Sequence, residues 1–111
     1  MRYKVKSAEF RHPIKIQRLK ETRDEDNRPI PVWSDLLDTR AKIIVGNGRE
    51  FIEIDGVMHT VSKIFQIRGL KSIEFTGNDR ILFNKKAYNI LNVKNIEEMN
   101  ILIEFKTECV E

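Results

Sequence analysis

Few side chains in this chain are of the types that carry out chemistry, and their positions do not combine them into a site. His12 and His59 are the only histidines, and Cys109 is the only cysteine. A nucleophilic site needs Ser, Cys or Thr near a histidine that a carboxylate orients, and a common zinc motif places two histidines four residues apart on a helix. Neither arrangement is indicated here. We therefore expect no catalytic residue, no metal ligand and no cofactor, and we predict that the protein is not an enzyme.

The adjacent carboxylates Asp24, Glu25 and Asp26 are the other candidates for chemistry. Paired carboxylates act as acid and base only where their surroundings separate their pKa values. These three belong to residues 22–31, a stretch with two prolines and almost no apolar side chain, which predicts an exposed loop between strands. Because solvent screens charges in such a loop, we interpret them as residues for solubility or for contact with a partner.

Length and composition limit the class of protein. A chain of 111 residues, of which 41% are hydrophobic and 33% charged, predicts a single globular domain that spans residues 1–111. No uninterrupted apolar run exceeds three residues, so no segment is expected to cross a membrane. The basic first residues lack the apolar stretch of a secretory signal, which indicates that the protein stays in the cytoplasm where it is made.

Charge is distributed unevenly along the chain, although its net value is only +3. Residues 1–23 contain eight Lys or Arg and two Glu, whereas residues 97–111 contain five Glu and one Lys. One interpretation is that both are solvated surfaces that serve solubility. The other is that they lie on complementary faces of neighbouring subunits, in a head-to-tail contact that closes into a ring.

Alternation of apolar and polar residues dominates the chain and predicts strands. In the first strand Ile14 and Ile16 share one face, with Lys15 and Gln17 on the other. The second strand is predicted to bury its odd-numbered positions: Trp33, Leu37, Thr39, Ala41, Ile43 and Val45. Asp35 interrupts this apolar face, which indicates a bend or a bulge at that point.

The later segments continue this pattern with one ambiguity, at residues 49–58. Phe51, Ile54 and Met58 fit a short amphipathic helix, but Asp55 and Gly56 fit the turn of a hairpin. Further strands are predicted at 59–68, on both sides of a turn at 84–86, and at 101–105. Five or six antiparallel strands in so short a chain would expose sheet edges unless the sheet closes, so we predict a mainly β fold, a small antiparallel β-barrel.

Nucleic-acid binding is the alternative function, since small barrels often bind single strands by stacking bases on exposed aromatic rings beside basic residues. Most of the aromatic residues here fall on predicted buried faces. Only Tyr3, Phe10 and Phe75 are expected to be outside.

Short motifs occur in an order and spacing that spans residues 10–105. The motifs are Phe10-Arg11-His12 with Ile14, Ile16 and Gln17; Trp33; Ala41; Gly48-Arg49-Glu50-Phe51; Thr60 with Phe65, Ile67 and Arg68; Asp79-Arg80-Ile81; Tyr88-Asn89-Ile90; and Val93. In this arrangement the chain resembles the head-tail adaptor family of tailed bacteriophages, the head-completion or stopper proteins.

The resemblance implies a structural protein of a phage virion or prophage, with a β-barrel fold and a more helical or irregular segment at residues 49–58, which favours the short helix there. It implies a ring at the portal exit that closes the DNA-filled head and offers a docking surface for the tail. The expected partners are a portal-side adaptor protein, a tail terminator or tail-completion protein, and further copies of the chain, with non-specific proximity to packaged DNA and no membrane. The expected locations are the virion, and the host cytoplasm during assembly.

Two exposed loops, residues 22–31 and 69–79, are predicted to make the partner contacts, and we expect the isolated chain to be monomeric. The predicted partner-binding residues are Arg23, Asp24, Glu25, Asp26, Asn27, Arg28, Leu70, Lys71, Ser72 and Glu74.

Overall fold

The structure is a computed structural model that describes residues 10–69, 74–96 and 102–110. These residues form eight β-strands. In chain order they are β1 His12–Arg23, β2 Pro29–Val45, β3 Phe51–Ile54, β4 Val57–Thr60, β5 Lys63–Arg68, β6 Asp79–Phe83, β7 Lys86–Asn95 and β8 Leu102–Val110. Within this described part of the chain, no helix is long and apolar enough to cross a membrane.

Six of these strands close into an antiparallel barrel, in the order β1-β2-β5-β8-β7-β6, because β6 pairs with β1. The alternation seen in the sequence supplies the barrel interior. Its buried residues are Ile14, Ile16, Ala41, Phe65, Ile67, Ile81, Tyr88, Ile90, Ile103 and Phe105. The predicted mainly β barrel is therefore confirmed, with the hairpin of β3 and β4 as a separate two-stranded sheet.

The predicted short helix at residues 49–58 is wrong, and the alternative hairpin is what the chain forms. Phe51 pairs with Thr60, and Ile54 pairs with Val57 across a two-residue turn. Both turn residues have positive φ, 51° at Asp55 and 81° at Gly56. An Asp-Gly pair accepts these angles readily, and a two-residue turn of this kind matches the twist of a hairpin, so this local preference outweighs the weak helical periodicity.

The irregularity predicted at Asp35 is confirmed as a bulge in β2. Ile16 pairs with Leu37 while Gln17 pairs with Asp35, so Leu36 is the extra residue. An extra residue reverses which positions face inward. Trp33 consequently projects to the outer side of β2, where it is half-buried against Arg80, and not into the predicted buried face. Val45 lies on the same side as the buried Ala41, but it is 72% exposed because it stands at the end of the strand.

Residues 22–31 do not form the loop that their composition indicates. The pairing of β1 with β2 continues to Arg23 and Pro29, so only residues 24–28 form a turn. Pro29 and Pro31 lie opposite Arg23 and Glu21. Both prolines fall on alternate positions of an edge strand, where a missing N–H is tolerated because it faces away from the partner strand.

Candidate functional site: the β1–β2 arm and its base

The distal parts of β1 and β2 form a two-stranded arm, residues 19–33, that extends beyond the barrel. The last pair between β1 and β6 is Arg18 with Asp79, and past it β1 pairs only with β2. Residues 19–32 are exposed throughout. The arm makes the molecule elongated, with extents of 56 × 31 × 26 Å.

The tip of the arm is ordered by the Asp24 side chain. Its Oδ1 accepts hydrogen bonds from the backbone N–H of Asp26 at 2.9 Å and of Arg28 at 2.8 Å. Asn27 adopts a positive φ of 60°, and its carbonyl oxygen accepts a hydrogen bond from Arg23 at 2.9 Å. Asp24, Asn27 and Arg23 therefore shape the turn.

The remaining predicted tip residues, Glu25, Asp26 and Arg28, have exposed side chains at the end of the arm. The structure thus brings Arg23 to Arg28 together in one turn. It places Glu74 elsewhere, at the base of the arm, whereas Leu70, Lys71 and Ser72 lie outside the described residues.

The base of the arm is held by Arg18 and Asp79, a pair that no sequence pattern connects. Nε of Arg18 donates to Oδ1 of Asp79 at 2.8 Å, and Nη2 donates to Oδ2 at 3.1 Å. The Asp79 side chain is fully buried and that of Arg18 is 34% exposed. The hydrogen bonds from Arg18 to this carboxylate raise the pKa of the guanidinium above its ordinary value. This fork closes the end of the barrel where the arm leaves it.

The same fork attaches the segment that precedes β6. Nη2 of Arg18 donates to the Glu74 carbonyl at 2.5 Å, and the Thr76 N–H donates to Oδ2 of Asp79 at 2.9 Å. The Leu19 N–H also donates to the Asn78 carbonyl at 3.4 Å. Part of the second predicted contact loop, residues 74–79, is therefore docked on the base of the arm. The arm itself carries the first predicted contact region, residues 22–31, at its other end.

A second network joins three strands on the outer surface at the arm base. Gln17 donates from Nε2 to Oδ1 of Asp35 at 2.8 Å, and its Oε1 accepts from Nε of Arg80 at 3.0 Å. The Arg80 guanidinium lies 4.1 Å from the centre of the Trp33 ring, a cation–π contact. Gln17, Trp33 and Arg80 all belong to the sequence motifs, so their polar or amphipathic character within strands was the signal that could have located this network.

The pKa of Asp35 reflects its hydrogen bonds in that network. Hydrogen bonds from Gln17 and then Lys15 lower the pKa of Asp35 below its ordinary value, and the same contact raises the pKa of Lys15. Because the folded pKa of Asp35 lies below the unfolded one, the contact stabilises the fold above the unfolded pKa and is lost as pH falls through the folded pKa. We expect Gln17→Leu to raise the pKa of Asp35, measured by NMR titration of its carboxyl carbon.

A matched control for this titration is Gln66→Leu, which removes a similar bond, 2.8 Å long, to Glu104 on another face of the barrel. That variant should leave the pKa of Asp35 unchanged. An unaltered Asp35 titration in Gln17→Leu would contradict the assignment.

Exposed apolar side chains accompany the charges on the arm. Leu19, Ile30 and Val32 are 43%, 37% and 43% exposed. Ile30 and Val32 are neighbours on one face of the arm, and adjacent apolar groups that stay in solvent on a projecting element are typical of surfaces that bind another protein. We therefore take the arm, its tip and its base as the candidate docking surface.

The aromatic residues differ from the expectation that Tyr3, Phe10 and Phe75 lie outside. Phe10 is buried, and Phe75 is half-buried with its ring 5.0 Å from that of Phe105 in an edge-to-face contact. Tyr3 lies outside the described residues. Phe51, which was not among the rings expected outside, is 52% exposed. The described rings therefore form no row of exposed stacking surfaces beside basic residues, and nothing favours the nucleic-acid alternative.

The two histidines each contact one neighbouring side chain and do not form a cluster with each other. His12 packs edge-on against Phe83 at 5.8 Å, and Nδ1 of His59 lies 3.0 Å from Oε1 of Glu108. Among the residues that the structure describes, no group of three His, Cys, Asp or Glu is placed to hold a metal ion.

Residues 5–108 match the family of the phage head completion protein. The fold is shared with the solution structure of protein SF1141 from Shigella flexneri 2a, at 21% identity and a TM-score of 0.67, covering 91% of this chain and 93% of that one. It is also shared with a chain in the virion of a native gene transfer agent particle, at 15% identity and a TM-score of 0.59, covering 90% and 94%. No curated protein matches the chain.

Proposed function

Since this chain belongs to the phage head completion protein family and is a structural protein that joins head to tail, we propose that it performs this role as one subunit of a ring at the portal exit. Each subunit contributes a rigid barrel and a projecting arm. The ring closes the DNA-filled head and presents the surface on which the tail docks. Packaged DNA lies close to the ring without being bound specifically.

The arm is the observation that carries this proposal. It extends five residues, or about 17 Å at the rise of a β-strand, past the last pair that ties β1 to the barrel. A barrel alone offers short loops, whereas an arm of this length reaches over a neighbouring protein. The gene transfer agent chain with the same fold belongs to a virion, which supports placing this chain in one.

We assign the partner contacts to the arm tip and to the segment docked at its base. The tip supplies the exposed charges of Glu25, Asp26 and Arg28, while Arg23, Asp24 and Asn27 hold the turn that presents them. Glu74 lies at the base. Leu70, Lys71 and Ser72, which the sequence predicts to belong to the same contact loop, complete the proposed set. The proposed partners are a portal-side adaptor and a tail terminator or tail-completion protein, which the chain meets in the host cytoplasm during assembly.

A shortened tip tests the docking role. In this variant an Asn-Gly turn replaces Arg23–Pro29, so that the pair Thr22 and Ile30, whose N–H groups can both donate, closes the hairpin and the rest of the arm keeps its register. In a phage lysate where the variant is the only source of this protein, we expect filled heads and free tails to accumulate unjoined, counted by electron microscopy. The control is Lys86→Ala with Lys94→Ala, two exposed positions on β7, which should leave joining intact. Normal particles from the shortened tip would overturn the proposal.

The isolated chain is expected to be a monomer. Docking surfaces made of a narrow arm bury little area until several partners hold them together, and such surfaces can reorder on binding. Size-exclusion chromatography with light scattering should give a mass near 13.1 kDa. A stable ring in the absence of other virion proteins would contradict this.

A further inference from the structure

Apart from Val110 at the end of β8, the large exposed apolar side chains of the described residues fall into two groups at opposite ends of β2. One group lies on the arm: Leu19, Ile30 and Val32. The other lies at the far end of β2 and on the β3–β4 hairpin: Ile44, Val45, Phe51, Ile54, Val57 and Met58. The 17 residues of β2 span about 55 Å at the rise of a strand, which is close to the long dimension of the molecule. The chain therefore exposes one apolar surface at each end.

One face of the arm combines apolar side chains with positive charge. The register pairs Lys20 with Val32 and Thr22 with Ile30. Directly opposed residues in an antiparallel pair project to the same side, so these four side chains share a face. The neighbouring pairs, including Glu21 with Pro31, project to the other side. The strand pairs Lys20–Val32 and Thr22–Ile30 thus place a cation, and no carboxylate, among apolar groups.

One face of the β3–β4 hairpin has the opposite charge. Glu53 pairs with Met58, and Phe51 projects to the same side. The other side carries His59, whose Nδ1 contacts Glu108 of the barrel strand β8 at 3.0 Å, so that side lies toward the barrel. The face of Phe51, Glu53 and Met58 consequently points away from it, with Phe51 52% and Met58 59% exposed. Here an anion lies among apolar groups.

We propose that the Lys20, Ile30 and Val32 face of the arm packs on the Phe51, Glu53 and Met58 face of a second copy of this chain. This inference rests on the proposed ring and names the contact that builds it. The two faces match in apolar character and are opposite in charge. They lie at opposite ends of one molecule, so each copy offers one face to each neighbour, and a head-to-tail contact of this kind generates a ring when its rotation closes.

The contact also answers a structural deficiency of both elements. The arm and the hairpin are each two-stranded; the arm has both faces in solvent, and the hairpin has one face toward the barrel and the other in solvent. A two-stranded sheet is marginally stable unless something packs on its uncovered face. Packing the two against each other covers one face of each. A further copy is thus a better occupant than an unrelated protein, because one contact between identical chains completes both elements.

Disulfide trapping in a Cys109→Ser background tests the contact. One variant carries Thr22→Cys on the proposed arm face, and a tagged variant carries Met58→Cys on the hairpin face. The two variants are mixed at high concentration and low salt under oxidising conditions. They should form mixed disulfides severalfold faster than a control pair in which Glu21→Cys replaces Thr22→Cys and Met58→Cys is kept. Glu21 is adjacent on the arm, is equally exposed, and projects to the opposite side.

Charge reversal sharpens the experiment. Lys20→Glu in the arm variant, or Glu53→Lys in the hairpin variant, should each slow the mixed disulfide by about two- to fivefold, the factor expected for an exposed ion pair. The two reversals together should restore the rate. All of these positions are exposed, so the fold is retained.

Equal rates for the Thr22→Cys and Glu21→Cys pairs, or reversals that do not compensate, would overturn the inference. If the disulfide rates are equal or do not compensate while the shortened-tip variant still leaves heads and tails unjoined, the proposed function stands and the ring is built through another surface. If Met58→Cys in assembled particles is trapped by a different virion protein, the second copy is excluded as the occupant.

Discussion

Arg18→Met is expected to lower the free energy of unfolding by about 3–5 kcal/mol, the cost of leaving a buried charge without its partner. The Asp79 carboxylate has no exposed surface, and among the described side-chain contacts it would keep the hydrogen bond from the Thr76 N–H. Methionine retains the aliphatic stem of arginine, so packing changes little. Urea unfolding followed by circular dichroism measures the loss.

Two further variants separate the buried charge from other causes. Lys15→Met breaks an ion pair with Asp35 in which both side chains are at least 40% exposed, so solvent screens the pair and the loss of stability should be much smaller than that of Arg18→Met. Arg18→Met combined with Asp79→Asn removes the charge while retaining a group that can accept from Thr76, and should recover part of the stability. An Arg18→Met effect no larger than that of Lys15→Met would show that the fork does not hold the base of the arm.

The same fork has a functional consequence. It connects the first residues of the arm with the segment at Glu74 and with the end of the barrel. Weakening it should loosen the arm before the barrel unfolds. We therefore expect Arg18→Met to impair head-tail joining even at temperatures where the barrel remains folded.

Phe65→Ala is expected to have the other largest effect, a loss of about 3–5 kcal/mol from the cavity that truncation leaves. The Phe65 ring is fully buried and contacts Phe83 and Tyr88 edge-to-face, with centroids 6.0 and 5.3 Å away. Small domains are stable by only about 5–15 kcal/mol in total, so this variant should be substantially unfolded on modest heating. The thermal unfolding midpoint provides the measurement.

Phe51→Ala is the matched control, because it makes the same substitution on a ring that is 52% exposed. In the isolated chain it should change stability by about 0.5 kcal/mol or less. Comparable losses in the two variants would mean that the barrel interior is not the main source of stability.

Much of the barrel could be predicted from local pattern. Ile14, Ile16, Phe65 and Ile67 alternate with polar residues, and a strand places alternate side chains on opposite faces, so this spacing alone separates interior from exterior. The bulge could be located as well, because Asp35 is a charged residue at a position where the alternation requires an apolar one.

The prediction of a helix at residues 49–58 is wrong because the apolar residues that suggested it are not buried. Phe51 and Met58 are apolar but exposed, so their spacing does not mark a buried face. Periodicity predicts an element only where one side of it is covered. The turn residues Asp55 and Gly56 contained the better signal, since their backbone preference does not depend on burial.

The arm shows the same limit. Its tip, Arg23 to Arg28, was recognised from composition as an exposed contact region, but a two-stranded arm with both faces in solvent has no burial pattern to distinguish it from a loop. The base required the tertiary structure, because Arg18 and Asp79 are 61 residues apart in the chain. By itself the sequence determined that strands dominate and which side chains face the interior in strands such as β1 and β5, since alternation depends on nearest neighbours. Only the tertiary structure decided where the arm leaves the barrel and what holds its base. The physical reason is that the pairing of β1 with β6 and the bonds between Arg18 and Asp79 join residues far apart in the chain, which no local pattern relates.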